Sequence, residues 1–487
     1  MLKRHFLYPA VLTLTALAVP ALPAALETVR LDGASGAHTT LNDAIASVSD
    51  GGVIEITQAG DYQQPDVPTT ANVTIIGGKS YTIRATVSGV TISEGILTDP
   101  TTGAIDVTLE NISVDRLGTG AAMYVEQHNG GGSAGNSVTV HLKDMLLQSA
   151  EGEGMRIDGV GTDGGLVTLT AENTTFSSLG GSNKAALRVS TTAGGVPSGS
   201  GPVNGLSVSL TDTVLTSANY RGIRNDGGSN QSWTLDGCTI TSLDRGFEVN
   251  QAGNDNNTYE LTDTTITSNQ ECIHDENKST NTTWTLNRCK LDGSGGTLSD
   301  RAMVLRDSNL TPNFTVNLYN TIVLAQPNTD GMETTRVNLT AYHCTFVGSG
   351  EGSIAEGIDA NTNTGLVFDV KNSVFQGFDR GINSSSSVAN TSDYNVFDGA
   401  EIDTDTSATR TDLGANSAIN ATLNLDANYA PQAGSAAIQF GSTDSGIATA
   451  IGNVDYNGNA RPNPVATNPD AGAFEVGGSS TNDWHLY

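Results

Sequence analysis

Arg156, Arg188, Arg224, Glu248 and His274 recur down the chain, and each directly follows a large apolar residue: Met155, Leu187, Ile223, Phe247 and Ile273. With only 23 basic residues among 487, three consecutive arginines in one such column are an uneven distribution. Guanidinium groups held about one strand apart suit the carboxylates of a uronic-acid polymer, which they would grip by charge-assisted hydrogen bonds. Beside them, Glu248 or His274 could take a proton from a sugar C5 or deliver one to a leaving oxygen. Lys184, just before Arg188, is a further candidate base, provided that burial or neighbouring arginines lower its pKa. Stacked Arg and Glu also have a purely structural use, because cross-strand pairs keep an exposed sheet soluble and in register.

These side chains need a periodic scaffold, and the sequence holds one. The large apolar column extends through Met123, Met155, Leu187, Ile223, Phe247, Ile273, Met303, Met332, Ile358 and Ile382, each preceded by Ala, Gly or Cys. A recurrence of roughly 25 residues marks a solenoid with one coil per repeat. Ahead of each lies an alternating segment, such as Trp233-Thr234-Leu235, Tyr259-Glu260-Leu261, Trp284-Thr285-Leu286 or Val316-Asn317-Leu318, with one face apolar and one polar. A residue that tolerates a tight or left-handed backbone follows: Asn173, Asp212, Gly237, Asp263, Asn320 or Asn372. The next apolar residue, among them Phe176, Leu215, Ile240, Ile266, Leu291, Phe346 and Phe375, points inward again. Each repeat therefore reads strand, corner, strand, loop, strand, which predicts an all-β, single-stranded parallel β-helix of roughly 11–13 coils. Strand alternation then turns Tyr124, Arg156, Arg188, Arg224, Glu248, His274, Val304, Glu333, Asp359 and Asn383 outward.

This pattern resembles the pectin-lyase-like family of right-handed β-helix proteins over most of the chain. The resemblance implies a right-handed solenoid and says little about chemistry. Of the signatures of polygalacturonase-like enzymes, the paired Asp-Asp and the Gly-His-Gly are missing. Arg288-Cys289-Lys290 matches their Arg-x-Lys spacing but falls at a corner. Glu333 and Asp359, outward on adjacent coils, are a candidate carboxylate pair for glycoside hydrolysis.

The chain begins with Lys3 and Arg4, an apolar run from Phe6 to Val19 and small residues around Ala21 to Ala25, which predicts a signal peptide over 1–25 and export. Residues 26–70 are expected to hold an N-terminal cap and first strands. Thr40 can cap a helix in which Leu41, Ala44, Ile45 and Val48 share a face, with Asp43 three residues after the cap and Gly51-Gly52 as its stop. Such a helix would cover the open end of the stack. Coils fill 71–400, broken by Gly/Ser/Asn-rich excursions at 130–135, 191–205 and 252–257 that could form rims of a groove. Cys238, Cys289 and Cys344 share one column two coils apart, about 9.6 Å, too far for a disulfide; with Cys272 they read as small buried packing residues.

Residues 401–487 differ in kind. Gly434-Ser435-Ala436-Ala437-Ile438, Asp455-Tyr456-Asn457-Gly458 with Arg461-Pro462, and Asp470-Ala471-Gly472-Ala473-Phe474-Glu475 resemble the C-terminal region of bacterial exported β-helix proteins called choice-of-anchor Q proteins. Those relatives often carry a sorting signal after the last motif; Val476 to Tyr487 show neither an apolar anchor nor a basic stop. Arg461 and Asp470 are expected to form a structural ion pair.

A net charge of −29 repels phosphate backbones and anionic bilayers at long range, which makes nucleic acid and membrane surfaces poor partners. It also makes calcium a candidate cofactor in carboxylate-rich loops, although acidity alone would keep an exported protein soluble; the excursion Asn254-Asp255-Asn256-Asn257 is a candidate calcium loop without a defined ligand spacing, and a plain turn accounts for it better. Two functions follow. In one, a secreted or cell-surface monomer binds, and by β-elimination cleaves, an acidic polysaccharide along its outward column. In the other, it is a non-catalytic adhesin or structural matrix protein. Whether Arg156, Arg188, Arg224, Glu248 and His274 line a groove or a solvated sheet separates the two.

Overall fold

The computed structural model describes residues from Leu26 to Val476. It leaves out 31–32, 63–72, 77, 89, 93–94, 100–103, 128–136, 160–165, 191–204, 251–255, 277–280, 297–300, 307–313, 350–354, 361–366, 385–388, 399–415 and 463–466. The predicted signal peptide, the excursions at 130–135 and 191–204, Asn254, Asp255 and the last residues lie outside the described ones.

Three parallel sheets, the first of 14, the second of 13 and the third of 12 strands, wrap one core. Each coil contributes one strand to each sheet, so the twelve strands of the smallest sheet count twelve complete coils among the described residues. At about 4.8 Å per coil the stack is roughly 55 Å long. One coil shows the plan. Ser232–Asp236 lies in the first sheet, Thr239–Ser242 in the second and Phe247–Val249 in the third. The next repeats it with Thr258–Thr262, Thr265–Ser268 and Ile273–Asp275, in register throughout. Coiling begins earlier than the pattern suggests, since Gly52–Ile56, Gly60–Asp61 and Val73–Ile76 already complete a coil.

The corner between first and second sheets is a ladder of left-handed residues, with φ of 47° at Asn173, 48° at Asp212, 64° at Gly237, 49° at Asp263, 49° at Asn320 and 55° at Asn372. His343, at 54°, is another type that tolerates this region, but two corners are filled by types that rarely enter it: Arg288 at 53° and Tyr394 at 57°. Arg288 reaches back to the Asp263 carboxylate at 2.7 and 2.6 Å, so its resemblance to a catalytic Arg-x-Lys is a corner stabilised by its neighbour.

The core is close-packed. The column from Met123 to Ile382 is buried throughout. The small residue before each member is a steric requirement. A Cβ added at Gly222 would stand 2.2 Å from Ile240 Cγ2, and one at Gly246 would stand 2.2 Å from Ile266 Cγ2. On the first sheet Tyr259 and Trp284 stack at 4.2 Å between ring centroids, and on the second Phe346, Phe375 and Phe397 form a separate stack at 4.8 and 5.0 Å. All four cysteines are free and buried.

The N-terminal cap is helix α1, Leu41–Ser47, whose N-cap Thr40 Oγ1 accepts the Asp43 amide at 3.1 Å. Leu41, Ala44 and Ile45 pack onto the first coils. At the other end, residues 416–476 lie against the outer face of the second sheet. There the outward residues change from Thr239, Thr241, Thr265 and Thr267 to Ile322, Leu324, Val374 and Val396, all four buried against Leu423, Ala437, Ala471, Ala473 and Phe474. Helix α2, Ser445–Ala450, belongs to this region. Arg461 is pinned here, though its carboxylate partner differs from expectation. It pairs with Glu475 at 3.1 Å and donates to the Asp470 and Gly472 carbonyls, while the Asp470 carboxylate accepts the backbone amides of Gln439 and Val476. No helix among the described residues is long and apolar enough to cross a membrane.

Candidate functional site

Sequence alternation places the outward column correctly. On the third sheet Tyr124 pairs with Arg156, Arg156 with Arg188, Arg188 with Arg224, Arg224 with Glu248, Glu248 with His274, and the column continues through Val304, Glu333 and Asp359 to Asn383. What alternation could not show is that two further charged columns flank this one. The turn entering each strand supplies Glu153, Arg221, Arg245, Glu271, Arg301, Asp330, Glu356 and Arg380, each three residues ahead of the column. The strand's exit supplies Asp158, Asp226, Glu276 and Arg306.

From Glu153 to Asp330 the three columns interlock through shared ion-pair partners, with the pair Arg156–Asp158 at one end and Arg380–Glu356 at the other. Arg156 Nε lies 2.6 Å from Asp158, whose other oxygen accepts the Tyr124 hydroxyl at 2.8 Å. Arg188 bridges Glu153 at 3.4 Å and Asp226 at 2.8 Å, and Lys184 also pairs with Glu153 at 3.4 Å. Arg224 meets Asp226 at 2.5 Å and Glu248 at 3.8 Å. The three column arginines keep only 14–16 % of their side chains exposed, so each shows solvent the edge of a guanidinium already held by a carboxylate.

Glu248 departs from the role sequence suggests for it. Its carboxylate is fully buried, pressed between Arg221 and Arg245 with Arg224 nearby. A base must reach the proton it removes, and here the guanidiniums lie over the carboxylate. His274 is 6 % exposed and clamped between Glu271 at 3.2 Å and Glu276 at 3.6 Å. Burial works against its charged form, but hydrogen bonds to both glutamates prevail and raise its pKa above the ordinary histidine value. Burial likewise opposes ionisation of Glu271, yet His274 and Arg245 outweigh it and bring that carboxyl down to about 2.

Further along, Arg301 and Arg306 both hold Glu333, and Arg306 also reaches Glu276. Glu356 is a carboxyl of this face poised near neutrality. Burial, reinforced by the charge of Asp359, pushes it up to about 7 despite Asn383 at 2.8 Å and Arg380 at 3.0 Å. It escapes the sequence reading because it sits in the turn column; Arg221, Arg245 and Glu271 of the same column open the recurring segments Arg221-Gly222-Ile223-Arg224, Arg245-Gly246-Phe247-Glu248 and Glu271-Cys272-Ile273-His274.

Charge along the face is near balance, with a small acidic excess once Asp359 of the column is added to the paired groups. The cations Arg156, Lys184, Arg188, Arg221, Arg224, Arg245, Arg301, Arg306 and Arg380 number nine. Their partners Glu153, Asp158, Asp226, Asp244, Glu248, Glu271, Glu276, Asp330, Glu333 and Glu356 number ten. Among the described residues no group of three or more His, Cys, Asp or Glu side chains is arranged to hold a metal ion. Of the excursion at 252–257, Asn256 donates to Asn230 at 3.3 Å and Asn257 to the Gly228 carbonyl at 2.9 Å, each on a neighbouring coil.

The class this architecture defines is the parallel β-solenoid. No family model and no curated protein matches the sequence. Among solved structures, the chain is similar to pectate lyase Pel9A, at 14% identity over 93% of this chain and 97% of that one, with a TM-score of 0.38. It is also similar to the catalytic unit of a thermostable GH87 α-1,3-glucanase from Streptomyces thermodiastaticus strain HF3-3, at 15% identity over 71% and 66% of the two chains and a TM-score of 0.30. ORF18 of Geobacillus virus E2 gives 11% identity over 75% and 58%, with a TM-score of 0.28. None of these likenesses bears on the chemistry of the face.

Proposed function

We propose that this chain is a polysaccharide-binding β-solenoid whose ligand lies lengthwise along the outer face of the third sheet, over the edges of Arg156, Arg188 and Arg224. One observation carries the reading: a run of charged, hydrogen-bonding groups that share partners from Glu153 to Asp330 follows the solenoid axis on this face. The outward positions of the first and second sheets in the middle coils are mostly Thr and Ser. Partly buried ion pairs contribute little net stability compared with apolar packing, so their concentration on one face fits use of that face. Because donors and acceptors alternate with near-balanced charge, sugar hydroxyls can bridge them, and the ligand class is a hydroxyl-rich chain that need not carry uronate groups. Affinity electrophoresis through gels containing neutral or acidic polysaccharides tests this. Retardation that is lost in an Arg156→Ala/Arg188→Ala/Arg224→Ala variant supports the reading. Equal mobility of native and variant protein in every gel removes it.

Glu356 favours a second reading, glycosidic cleavage by general acid catalysis, because a carboxyl near pH 7 beside Asp359 is suited to protonate a leaving oxygen. Reducing-end release with a pH limb near 7 that disappears in Glu356→Gln would support it. Absence of release from every polysaccharide that binds would end it.

A further inference from the structure

We propose that the seam between the C-terminal region and the second sheet is a separate sugar-binding subsite, which takes the apolar face of a single neutral pyranose. A cavity of about 270 Å3 opens there, lined by Lys290, Ile322, Asn428, Tyr429, Tyr456 and Phe474 among others. Small-molecule sites begin at roughly 300 Å3, so this one has room for one ring and not for an extended chain.

The two tyrosines are delivered by two separate turns of the same design. In the first, Asp426 Oδ1 accepts the amides of Asn428 at 2.8 Å and Ala430 at 3.0 Å, and the turn is closed by pairing of Leu425 with Pro431. In the second, Asp455 Oδ1 accepts the amides of Asn457 at 2.9 Å and Asn459 at 2.7 Å, closed by Val454 with Ala460. Each turn presents its tyrosine half-buried beside the same cavity. Tyr429 is held at φ 71°, a backbone region that bulky residues avoid and that persists only where the surroundings impose it. Tyr456 is backed by Phe474 at 5.2 Å between centroids, and Phe474 by the buried Ile322 and Leu324.

Rigid aromatic faces with a polar rim are the chemistry that receives a sugar ring: C–H groups lie on the π face while hydroxyls meet donors and acceptors at its edge. The rim offers Asn428 and Asn457, with Lys290 at 5.7 Å from the Tyr429 ring. Lys290 is already neutralised by Asp292 at 3.0 Å, so the rim has no spare cation for a uronate. The overall charge of −29 disfavours acidic sugars further. This site lies off the third sheet and does not depend on the reading of that face.

The test is affinity electrophoresis of the full chain through neutral polysaccharides of different linkage and through pectate, using native protein, Tyr429→Ala, Tyr456→Ala, and the ring-conserving Tyr429→Phe and Tyr456→Phe. Near-ultraviolet circular dichroism checks each fold. The proposal expects retardation in at least one neutral glycan, weakened about tenfold, or 1.4 kcal/mol, in both Ala variants and kept in both Phe variants. Native protein that no neutral glycan retards overturns it. So does retardation unchanged in folded Ala variants, or retardation by pectate alone, and either of those results leaves the third-sheet site standing.

Discussion

Replacing Glu248 by Ala separates a structural clamp from a catalytic base. The carboxylate is fully buried and faces Arg221, Arg224 and Arg245, whose side chains are 11, 15 and 22 % exposed. Its removal leaves three guanidiniums crowded together with one shared counter-ion gone. Breaking a buried pair in this way typically costs about 3–5 kcal/mol, and the partial exposure of the arginines puts the expected loss near the lower end, about 3 kcal/mol. With unfolding entropy near 2.1 cal/mol/K per residue, a chain of 487 residues has roughly 1 kcal/mol/K. The predicted drop in Tm is therefore about 3 °C in a cooperative melt. Lys143→Ala is the control, because its pair with Glu172 is 4.0 Å apart and about half exposed, worth about 0–1 kcal/mol and under 1 °C. The assay is differential scanning calorimetry at neutral pH. If Glu248→Ala melts within 1 °C of Lys143→Ala, the clamp reasoning is wrong.

Three further outcomes follow from the same structure. Gly381→Ala would place a Cβ 2.1 Å from Phe397 Cδ1 in a stacked ring pair, and should lose about 1–3 kcal/mol, whereas Gly118→Ala, with nothing within 4 Å, should be near neutral in a thermal melt. Because the folded pKa of His274 is raised above 6.5, its contribution is complete below about pH 6.5 and fades as pH climbs through the folded value; Glu271, lowered from 4.5 to about 2, loses its share as pH falls through that window. The Tm advantage of native protein over His274→Gln should thus shrink as the pH is raised progressively above 6.5, and a difference that stays constant into the alkaline range contradicts the pairing. Arg461→Ala strands the fully buried Glu475 without its counter-ion, so limited proteolysis should release the C-terminal region while the β-sheet circular dichroism persists; a tail as resistant as native would show that Arg461 does not hold it.

Much of this fold is written locally. A period of two places every member of the column from Tyr124 to Asn383, because one strand per coil leaves no register freedom once the inward residue is known. Corners occupied by Asn, Asp or Gly are readable for the same local reason, while Arg288 and Tyr394 are not, since their types seldom adopt positive φ. The ladder's partners were hidden because they come from turns, where a guanidinium or carboxylate reaches across coils and no periodicity fixes its direction. Arg188 draws one partner from the coil before and one from the coil after. The docking of the C-terminal region leaves a faint mark, the switch from Thr to Ile322, Leu324, Val374 and Val396 at outward positions, which becomes a signal only when the face is known to be covered. Glu475 takes the place expected of Asp470 because the latter's oxygens are committed to backbone amides.

Arginine modification mapped by mass spectrometry tests the central claim most directly. The full chain is treated with an arginine-selective dicarbonyl, with and without the polysaccharide that retards it. The account predicts that bound polysaccharide protects Arg156, Arg188 and Arg224 on the third sheet and leaves Arg84 and Arg288, held by Glu55 and Asp263 away from that face, as reactive as before. Protection of all five to the same extent, or of none, would contradict a ligand lying on the ladder.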